Sequence, residues 1–305
     1  MKKVIILLGP TGIGKTGASI LLAQALDTEI ISADSMQIYR HMDIGTAKPS
    51  LADRASVKHH MIDIVEPTGS YSVGQYIDAI VPIIENLHSR GKVPVITGGT
   101  GLYIKAITRG IFSGPSADWQ LRDELLLSEQ ETPGILYARL SENDPEAARK
   151  TEQNDIRRII RGLEVWVKSS ETISDMQERL TRPLPYEFIK IGLTRDRREL
   201  YAMIERRIDA MLAEGLVTET RNLLALCPDK TPMQAIGYKE IARQLSGVVS
   251  TEEAIRLIRR NTRRYAKRQF TWFRKEADIQ WVDVTGLPDP RDVFGKIMNI
   301  LDNSL

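Results

Sequence analysis

The chain has 305 residues, of which 42% are hydrophobic and 27% charged, close to the proportions of an ordinary folded protein. This excludes long disordered, collagen-like and fibrous architectures, and the length allows one large domain or two ordinary ones. The formal net charge is only +2, so any affinity for nucleic acid has to come from local basic patches. The single cysteine, Cys227, excludes an intrachain disulfide and a cysteine-based metal cluster, and it is typical of a cytoplasmic protein.

The first residues predict a strand followed at once by a helix. Residues 4–8 form an unbroken apolar run, which is typical of a strand buried on both faces of a parallel sheet. The run is too short for a signal peptide or a membrane span, so we expect neither export nor membrane association. Helical spacing of apolar residues predicts a helix over 17–26, and residues 29–32 predict a second strand that ends near Asp34.

The rest of the chain alternates helices and strands and contains one helical insertion. A helix is predicted over 73–88 and a strand over 93–96, which runs into a glycine-rich loop at 97–101. From about 115 to 185 charged, helix-prone segments replace the strands. A strand over 188–193 then returns to the sheet, and helices continue to about 275 before a short terminal element.

This order of elements predicts the α/β class: a parallel sheet like that of the P-loop NTPases, flanked by helices and carrying a helical insertion domain. We expect the core to consist of residues 1–114 and 187–305 and the insertion to consist of residues 115–186. Ligands of such sheets gather beyond the carboxyl ends of the strands.

The loop after the first strand matches the eight-residue phosphate-binding pattern G-x-x-x-x-G-K-[ST] in its required strand-to-helix context. Its backbone N–H groups and the helix dipole favour phosphate oxygens. Lys15 adds a positive charge, and the Thr16 hydroxyl is a candidate ligand of Mg²⁺. The alternative is a glycine-rich turn with a lysine by chance. The loop consists of Gly9, Pro10, Thr11, Gly12, Ile13, Gly14, Lys15 and Thr16.

Asp34 is the acidic residue that the pattern places beside this loop. In an ATPase we expect an apolar strand that ends in Asp or Glu, but the strand over 93–96 ends in Thr97-Gly98-Gly99. Asp34 follows the second strand and is therefore predicted to face the same crevice. It is a candidate metal ligand or general base, and the alternative is an ordinary helix cap.

Residues 256–275 contain nine Lys or Arg and no Asp or Glu. On a helix most of them share one half of the surface, opposite an apolar face, and we expect no intrahelical partner for them. This favours contact with a phosphate backbone over a merely solvated face. A second basic group, Arg157, Arg158 and Arg161, lies in the insertion. The residues of the first group are Arg256, Arg259, Arg260, Arg263, Arg264, Lys267 and Arg268.

With these residues identified, the chain resembles the tRNA dimethylallyltransferases, bacterial enzymes that prenylate an adenosine of the anticodon loop. The resemblance covers nearly the whole chain and departs from the family at Gly12 and Gly162, where alanine is common. The motifs that carry it are the phosphate loop, 33–39 (ADSMQIY), 43–49 (DIGTAKP), 59–63 (HHMID), 98–103 (GGTGLY), 154–161, 236–240 (IGYKE) and 267–272 (KRQFTW).

The resemblance implies that N6 of the adenosine attacks C1 of dimethylallyl diphosphate and expels diphosphate. The phosphate loop then holds the leaving group with Mg²⁺ at Thr16, and Asp34 accepts the N6 proton. Thr100 and Arg122 are assigned to the diphosphate and the reacting centre. The target base has to be flipped out of its stack into the crevice between core and insertion.

The resemblance also implies an RNA surface, and we expect a monomeric enzyme. The motif at 34–37 and the run at 157–161 would recognise the bases of the loop, while the basic C-terminal helix follows the phosphates. The residues assigned to tRNA are Asp34, Ser35, Met36, Gln37, Arg157, Arg158, Ile159, Ile160, Arg161, Lys239, Arg263 and Lys267.

Three other functions share some of these features. A small-molecule kinase would use ATP on the same loop without needing the basic helix. An isopentenyl transferase acting on free adenine nucleotides would need neither the insertion nor the basic helix. A non-catalytic RNA-binding switch controlled by nucleotide would bind both ligands without turning over a prenyl diphosphate.

Overall fold

A computed structural model describes residues 2–112 and 114–302. The first part of the chain alternates strands and helices as predicted, with a short strand at 59–60 for which the sequence has no apolar run. Its elements are β1 (Lys3–Leu8), α1 (Lys15–Ala25), β2 (Ile30–Ala33), α2 (Leu51–Ser56), β3 (His59–His60), α3 (Val73–Ser89), β4 (Val95–Gly98) and α4 (Gly101–Arg109).

The middle of the chain is helical and contains no strand among its described residues. It comprises α5 (Trp119–Glu131), α6 (Ile135–Asn143), α7 (Pro145–Arg149), α8 (Ile156–Ser169) and α9 (Ile173–Leu180).

The last part returns to the sheet and ends on a helix. It comprises β5 (Glu187–Thr194), α10 (Arg197–Glu214), α11 (Leu216–Ala225), a 3₁₀ turn (Pro232–Gln234), α12 (Tyr238–Leu245), α13 (Thr251–Phe273), β6 (Ile279–Asp283) and α14 (Pro290–Leu301).

All six strands form one parallel sheet in the order β3-β2-β4-β1-β5-β6. The predicted α/β class is therefore confirmed, and so is the return of the chain, since β5 pairs with β1. The strand expected at 93–96 lies two residues later, at Val95–Gly98, because these are the residues that pair with β1 and β2. Gly98 of β4 aligns with Leu8 on one side and with Ala33 on the other. The ends of β1, β2 and β4 therefore lie side by side.

The described residues divide into two compact units. The core unit consists of Met1–Lys105 and Pro185–Leu305, and the insertion unit consists of Ala106–Leu184. In the core unit, residues 4–8 of β1 are completely buried, as expected of a central strand covered on both faces. None of the helices among the described residues combines the length and apolar content needed to cross a bilayer.

The insertion unit has a hydrophobic core of its own, to which Leu125, Leu140 and Leu163 contribute. Gly162 lies on the buried face of α8, where a Cβ atom would come within 2.8 Å of Leu140 Cδ1. A glycine weakens a helix by up to about 1 kcal/mol relative to alanine. Here it allows α6 and α8 to approach closely, which explains the departure from the family's usual residue.

Candidate active site

The loop between β1 and α1 is shaped by its glycines. Gly12 and Gly14 have φ angles of 80° and 102°, in the left-handed region that favours glycine. Helix α1 begins directly after Gly14 without a side-chain cap, so its first N–H groups are available to an anion. The Lys15 ammonium donates hydrogen bonds to Gly9 O and Pro10 O, both at 2.9 Å. The loop therefore combines N–H groups with a fixed positive charge.

Gly12 is also required by packing. A Cβ atom at this position would lie 2.9 Å from Ile204 Cγ1 of α10, in addition to the strain of the positive φ. Alanine, the residue common in the family, would therefore require a shift of this loop or of α10 in this chain.

Gln269 of α13 joins the phosphate loop to the glycine-rich loop after β4. Its Oε1 accepts a hydrogen bond from Thr11 N at 2.8 Å, and its Nε2 donates to Gly99 O at 2.7 Å. The side chain is buried, so both amide groups are satisfied by backbone. A residue of the last long helix thus fixes the distance between two loops from the first third of the chain.

Asp34 follows β2 directly and has a local structural role. Its Oδ1 accepts hydrogen bonds from Met36 N at 2.9 Å and Gln37 N at 3.4 Å, as a capping aspartate does. Both bonds use the same oxygen, so the turn does not engage Oδ2. Asp34 also lines the same cavity as the phosphate loop. Its role in capping the turn is therefore compatible with a chemical role in the cavity.

Thr100 lies beside Asp34, as its position after a strand suggests. Its N–H donates to Ala33 O at 3.1 Å, and its hydroxyl accepts from Ser35 N at 3.0 Å. The Thr100 hydroxyl also hydrogen-bonds to the phenol of Tyr265, whose pKa is raised by burial and by the charge of Asp34. The end of β2, the loop after β4 and helix α13 therefore meet at Thr100.

Gln37, predicted to recognise RNA, is held by the protein itself. Its Nε2 donates to Thr46 O and Ala47 O, both at 3.3 Å, and its Oε1 accepts from Ser32 Oγ at 3.1 Å. The side chain therefore ties the motif at 34–37 to the motif at 43–49.

The segment at 43–49 is held by Glu219 of α11. The Glu219 carboxylate accepts N–H bonds from Asp43, Ile44 and Gly45 at 2.8, 2.9 and 3.0 Å. It also accepts a bond from the Tyr238 hydroxyl at 2.5 Å. The pKa of Tyr238 is raised, mainly by burial and to a smaller extent by the negative charge of Glu219. The Glu219 carboxylate therefore holds the backbone at Gly45 next to the hydroxyl of Tyr238.

Lys48 of the same segment is a structural residue. Its side chain is only 1% exposed, and its ammonium donates to Tyr39 O at 2.6 Å, Asp43 Oδ1 at 2.8 Å and Asp63 Oδ1 at 2.5 Å. The motifs at 43–49 and 59–63 are therefore linked by an ion pair whose lysine is buried.

These loops surround a cavity of about 290 Å³ in the core unit. It is lined by the phosphate loop, by the ends of β2 and β4 and by residues of α10 and α13. Its lining comprises Thr11, Gly12, Ile13, Gly14, Lys15, Thr16, Ser19, Ser32, Asp34, Gln37, Thr46, Ala47, Pro49, His59, Thr97, Gly98, Gly99, Met203, Arg207, Tyr265 and Gln269.

Two cations and one anion interact across this cavity. Burial lowers the pKa of Lys15 to about 8, while the Asp34 charge raises it and the Arg207 charge lowers it. Arg207 of α10 donates a hydrogen bond to Thr11 Oγ1 at 3.4 Å. The excess of positive charge and the loop N–H groups make the cavity suited to a polyanion.

His59 and Thr97 add polar groups to the cavity wall. His59 Nδ1 contacts Val57 O at 2.8 Å, and burial lowers the pKa of its ring. His59 Nε2 and Thr97 Oγ1 are buried atoms without a hydrogen-bond partner among the described residues. Both residues line the cavity.

In the insertion unit Arg122 pairs with another helix. Its Nε and Nη2 donate to the two carboxylate oxygens of Glu164 at 2.9 and 2.8 Å. Arg161 donates to the same carboxylate. Arg122 of α5 therefore pairs with a buried residue of α8 and not with a surface residue of its own helix.

The run at 157–161 is only partly exposed to solvent. Arg157 and Arg158 are exposed, and Arg158 Nε lies 3.3 Å from Asp155 Oδ2. The side chains of Ile159 and Ile160 are buried in the hydrophobic core of the unit. These two isoleucines therefore present no side chain to solvent, whereas Arg157 and Arg158 do.

The expectation that the basic residues of α13 have no intrahelical partner is wrong for Arg256, which pairs with an acidic residue three positions earlier. Two others pair with α10, which packs against α13. The distances are 2.6 Å for Arg256 with Glu253, 2.5 Å for Arg259 with Asp209 and 3.2 Å for Arg263 with Glu205.

Part of the basic face nevertheless stays in solvent. Arg264, Lys267 and Arg268 are exposed and make no ion pair with the described residues, whereas Lys239 lies 3.8 Å from Glu240. Tyr265 on the same helix lines the cavity. Helix α13 thus forms part of the cavity wall and carries unpaired cations close to it.

Proteins of one known family resemble this chain over most of its length. A family model described as IPP transferase matches residues 37–276. The chain belongs to the IPP transferase family. A tRNA dimethylallyltransferase from Thermodesulfovibrio yellowstonii is 52% identical over 100% of this chain and 99% of its own length. One from Syntrophobacter fumaroxidans is 48% identical over 92% and 83%.

Two solved structures extend the family relationship to three dimensions. The full-length tRNA isopentenylpyrophosphate transferase of Bacillus halodurans is 40% identical, with a TM-score of 0.74 over 99% of this chain and 96% of that one. A eukaryotic dimethylallyltransferase acting on tRNA is 28% identical, with a TM-score of 0.81 over 99% and 80%. The IPP transferase fold therefore spans the whole of this chain.

Sequence reasoning missed several members of the site. Arg207 is one of many charged residues on a helix of mixed charge, and no motif marks it. Gln269 and Tyr265 stand within or beside the motif at 267–272, but the basic residues around them drew the interpretation towards RNA. Glu164 follows the arginines of α8 in the sequence, and its burial gave no local signal.

Proposed function

We propose that this IPP transferase moves a dimethylallyl group from dimethylallyl diphosphate to N6 of the adenosine 3′ of the anticodon in tRNA and releases diphosphate. The observation that carries the proposal is one cavity that brings the Asp34 carboxylate together with the phosphate loop. The family relationship supports transfer of a dimethylallyl group to tRNA, and the details of donor and target atom are our inference.

In the proposed reaction the N6 lone pair attacks C1 of the donor as the C1–O bond breaks. The bond electrons leave with the diphosphate, whose growing negative charge is stabilised by loop N–H groups, Lys15 and Arg207. The N6 proton passes to Asp34, because the amine becomes acidic as the new N–C bond forms. Thr100 lies beside Asp34 and holds the segment that follows it.

The donor set fits Mg²⁺ bound with its substrate. Among the described residues no group of three His, Cys, Asp or Glu could hold a metal ion, whereas the Thr16 hydroxyl is exposed at the start of α1. Mg²⁺ commonly takes few protein ligands and completes its shell with phosphate oxygens and water. We propose that Thr16 holds it, and the ion would neutralise charge on the diphosphate.

The tRNA would bind through exposed cations of both units. Arg157 and Arg158 of α8 and Lys267 of α13 have side chains in solvent, so phosphate contacts need no rearrangement of the core. We propose that the enzyme works as a monomer in the cytoplasm, where its RNA substrate is found.

The decisive experiment is mass analysis of tRNA after incubation with the protein, Mg²⁺ and dimethylallyl diphosphate. We expect one adenosine of the anticodon loop to gain a C5H8 unit while diphosphate is released. Parallel reactions contain ATP with nucleosides, or adenosine monophosphate in place of tRNA. Formation of ADP would favour the kinase, and prenylated mononucleotide alone would favour the enzyme of free nucleotides. Binding of both substrates without turnover would favour the RNA-binding switch.

A further inference from the structure

Glu164 of α8 is a fully buried carboxylate that holds two basic side chains. Arg122 donates to it through Nε and Nη2, and Arg161 donates through Nη1. The backbone N–H of Asp118 donates a further bond at 2.7 Å. Burial alone would raise the pKa of Glu164, but these bonds hold it below its usual value. The carboxylate is therefore ionised and fully engaged.

Stability alone gives no reason for this buried charge. Helices α5, α6 and α8 already share a hydrophobic core through Leu125, Leu136 and Leu163. Removing a carboxylate from water is costly, and apolar replacement of a buried ion pair is often neutral or stabilising. Replacement of all three charged side chains by apolar residues would therefore serve the core at least as well.

The consequence of the charge is the fixed orientation of two guanidinium groups. A bidentate bond defines the plane of the Arg122 group as well as its position. Arg122 Cζ also lies 5.0 Å from the centre of the Trp119 ring, which restrains it further. The side chains of Arg122 and Arg161 are 24% and 31% exposed, and Glu164 uses only some of their N–H groups.

We propose that Glu164 is a positioning residue that orients Arg122 and Arg161 into one preformed site for the phosphate backbone of RNA. This inference rests on the proposed function. It assigns a role to a residue that touches no substrate and acts through two arginines. It also places Arg122 on the RNA phosphates, in place of the diphosphate and the reacting centre that the resemblance implies for this residue. One carboxylate and two guanidinium groups carry a formal charge of +1, so the site attracts phosphate while both arginines remain in place.

The test is Glu164→Gln, which keeps the shape of the side chain and removes its charge. We expect Kd and KM for tRNA to rise about tenfold, the size of a typical coupling between residues in contact. The KM for dimethylallyl diphosphate and kcat at saturating tRNA should stay unchanged. Glu171→Gln is the matched control, since Glu171 is exposed in the same unit and pairs with Arg179. All variants are compared well below their melting temperatures.

A second pair of variants separates orientation from charge and decides the matter if Glu164→Gln does not fold. Arg122→Lys keeps the charge but cannot bind Glu164 through a planar fork, so it should weaken tRNA binding nearly as much as Arg122→Gln. Wild-type affinity in Arg122→Lys would overturn the inference. A lower melting temperature of Glu164→Gln with unchanged Kd would also overturn it and leave a structural ion pair. Failure of the wild-type enzyme to prenylate tRNA would instead reject the proposed function.

Discussion

The phosphate loop of the core unit and the arginine cluster of the insertion unit (Arg122, Arg161 and Glu164) restrain basic groups by different means. In the loop, Lys15 bonds to backbone oxygens of its own eight-residue segment. In the cluster, two arginines from different helices meet at one buried carboxylate. The first arrangement is encoded locally and the second depends on tertiary packing. Chemistry and RNA recognition should therefore respond to different substitutions.

Asp34→Ala is expected to show the largest difference between an effect on prenyl transfer and an effect on tRNA binding. A positioned general base contributes about 10²–10⁴-fold, so single-turnover prenyl transfer should fall by that order while tRNA affinity changes little. Asp34→Asn is the matched control for the turn, because its amide oxygen can still accept the bonds of Met36 and Gln37. Full activity in either variant would remove Asp34 from the reaction.

The next largest effect is expected from Lys15→Met. Losing one donor to a developing anion typically costs about 10²–10³-fold, and here the loss should appear in kcat/KM for dimethylallyl diphosphate. The Kd for tRNA should stay the same. Lys296→Met, at an exposed position of α14, is the control for loss of a lysine. Equal kinetics in the two variants would contradict a role for Lys15 in holding the leaving group.

The pH dependence sharpens the comparison further. Burial lowers the pKa of Lys15 to about 8, so raising the pH through this value removes the positive charge from the free enzyme. The kcat/KM for the diphosphate should therefore fall about tenfold per pH unit above pH 8. This decline should be absent in Lys15→Met. A wild-type profile flat to pH 10 would mean that the protonated lysine is not required.

The smallest effects are expected on the basic face of α13. Lys267→Gln and Arg268→Gln should each reduce the slope of log Kd against log salt by about 1 if each side chain contacts one phosphate. Arg263→Gln should change the slope less, because Arg263 already pairs with Glu205. Filter binding over a salt series measures all three. Identical slopes for all variants and the wild type would mean that these side chains contact no phosphate and that the face is only solvated.

Locally encoded features could be predicted from the sequence. The apolar run of β1 and the glycines after it identified the phosphate loop, because strand burial and backbone shape depend on adjacent residues. The position of Asp34 followed from the end of β2, since parallel strands end at one edge of a sheet.

Features that depend on distant pairing could not be predicted. Glu219 lies 176 residues after Asp43, and Gln269 lies 258 residues after Thr11, so no local pattern connects them. The pairing of the α13 arginines with α10 was hidden for the same reason. The apolar character of Ile159 and Ile160 indicates burial. The sequence interpretation nevertheless assigned them to RNA, because arginines lie on either side of them.

The strand order has a consequence for biosynthesis. On the ribosome β1 emerges before the other five strands of the sheet, but its neighbour β5 begins only at Glu187, after the whole insertion has been translated. Until then the nascent chain exposes one edge of its most hydrophobic strand, a template for wrong pairing. Gln269 arrives later still, so the phosphate loop is the earliest part of the site to be synthesised and one of the last to be completed.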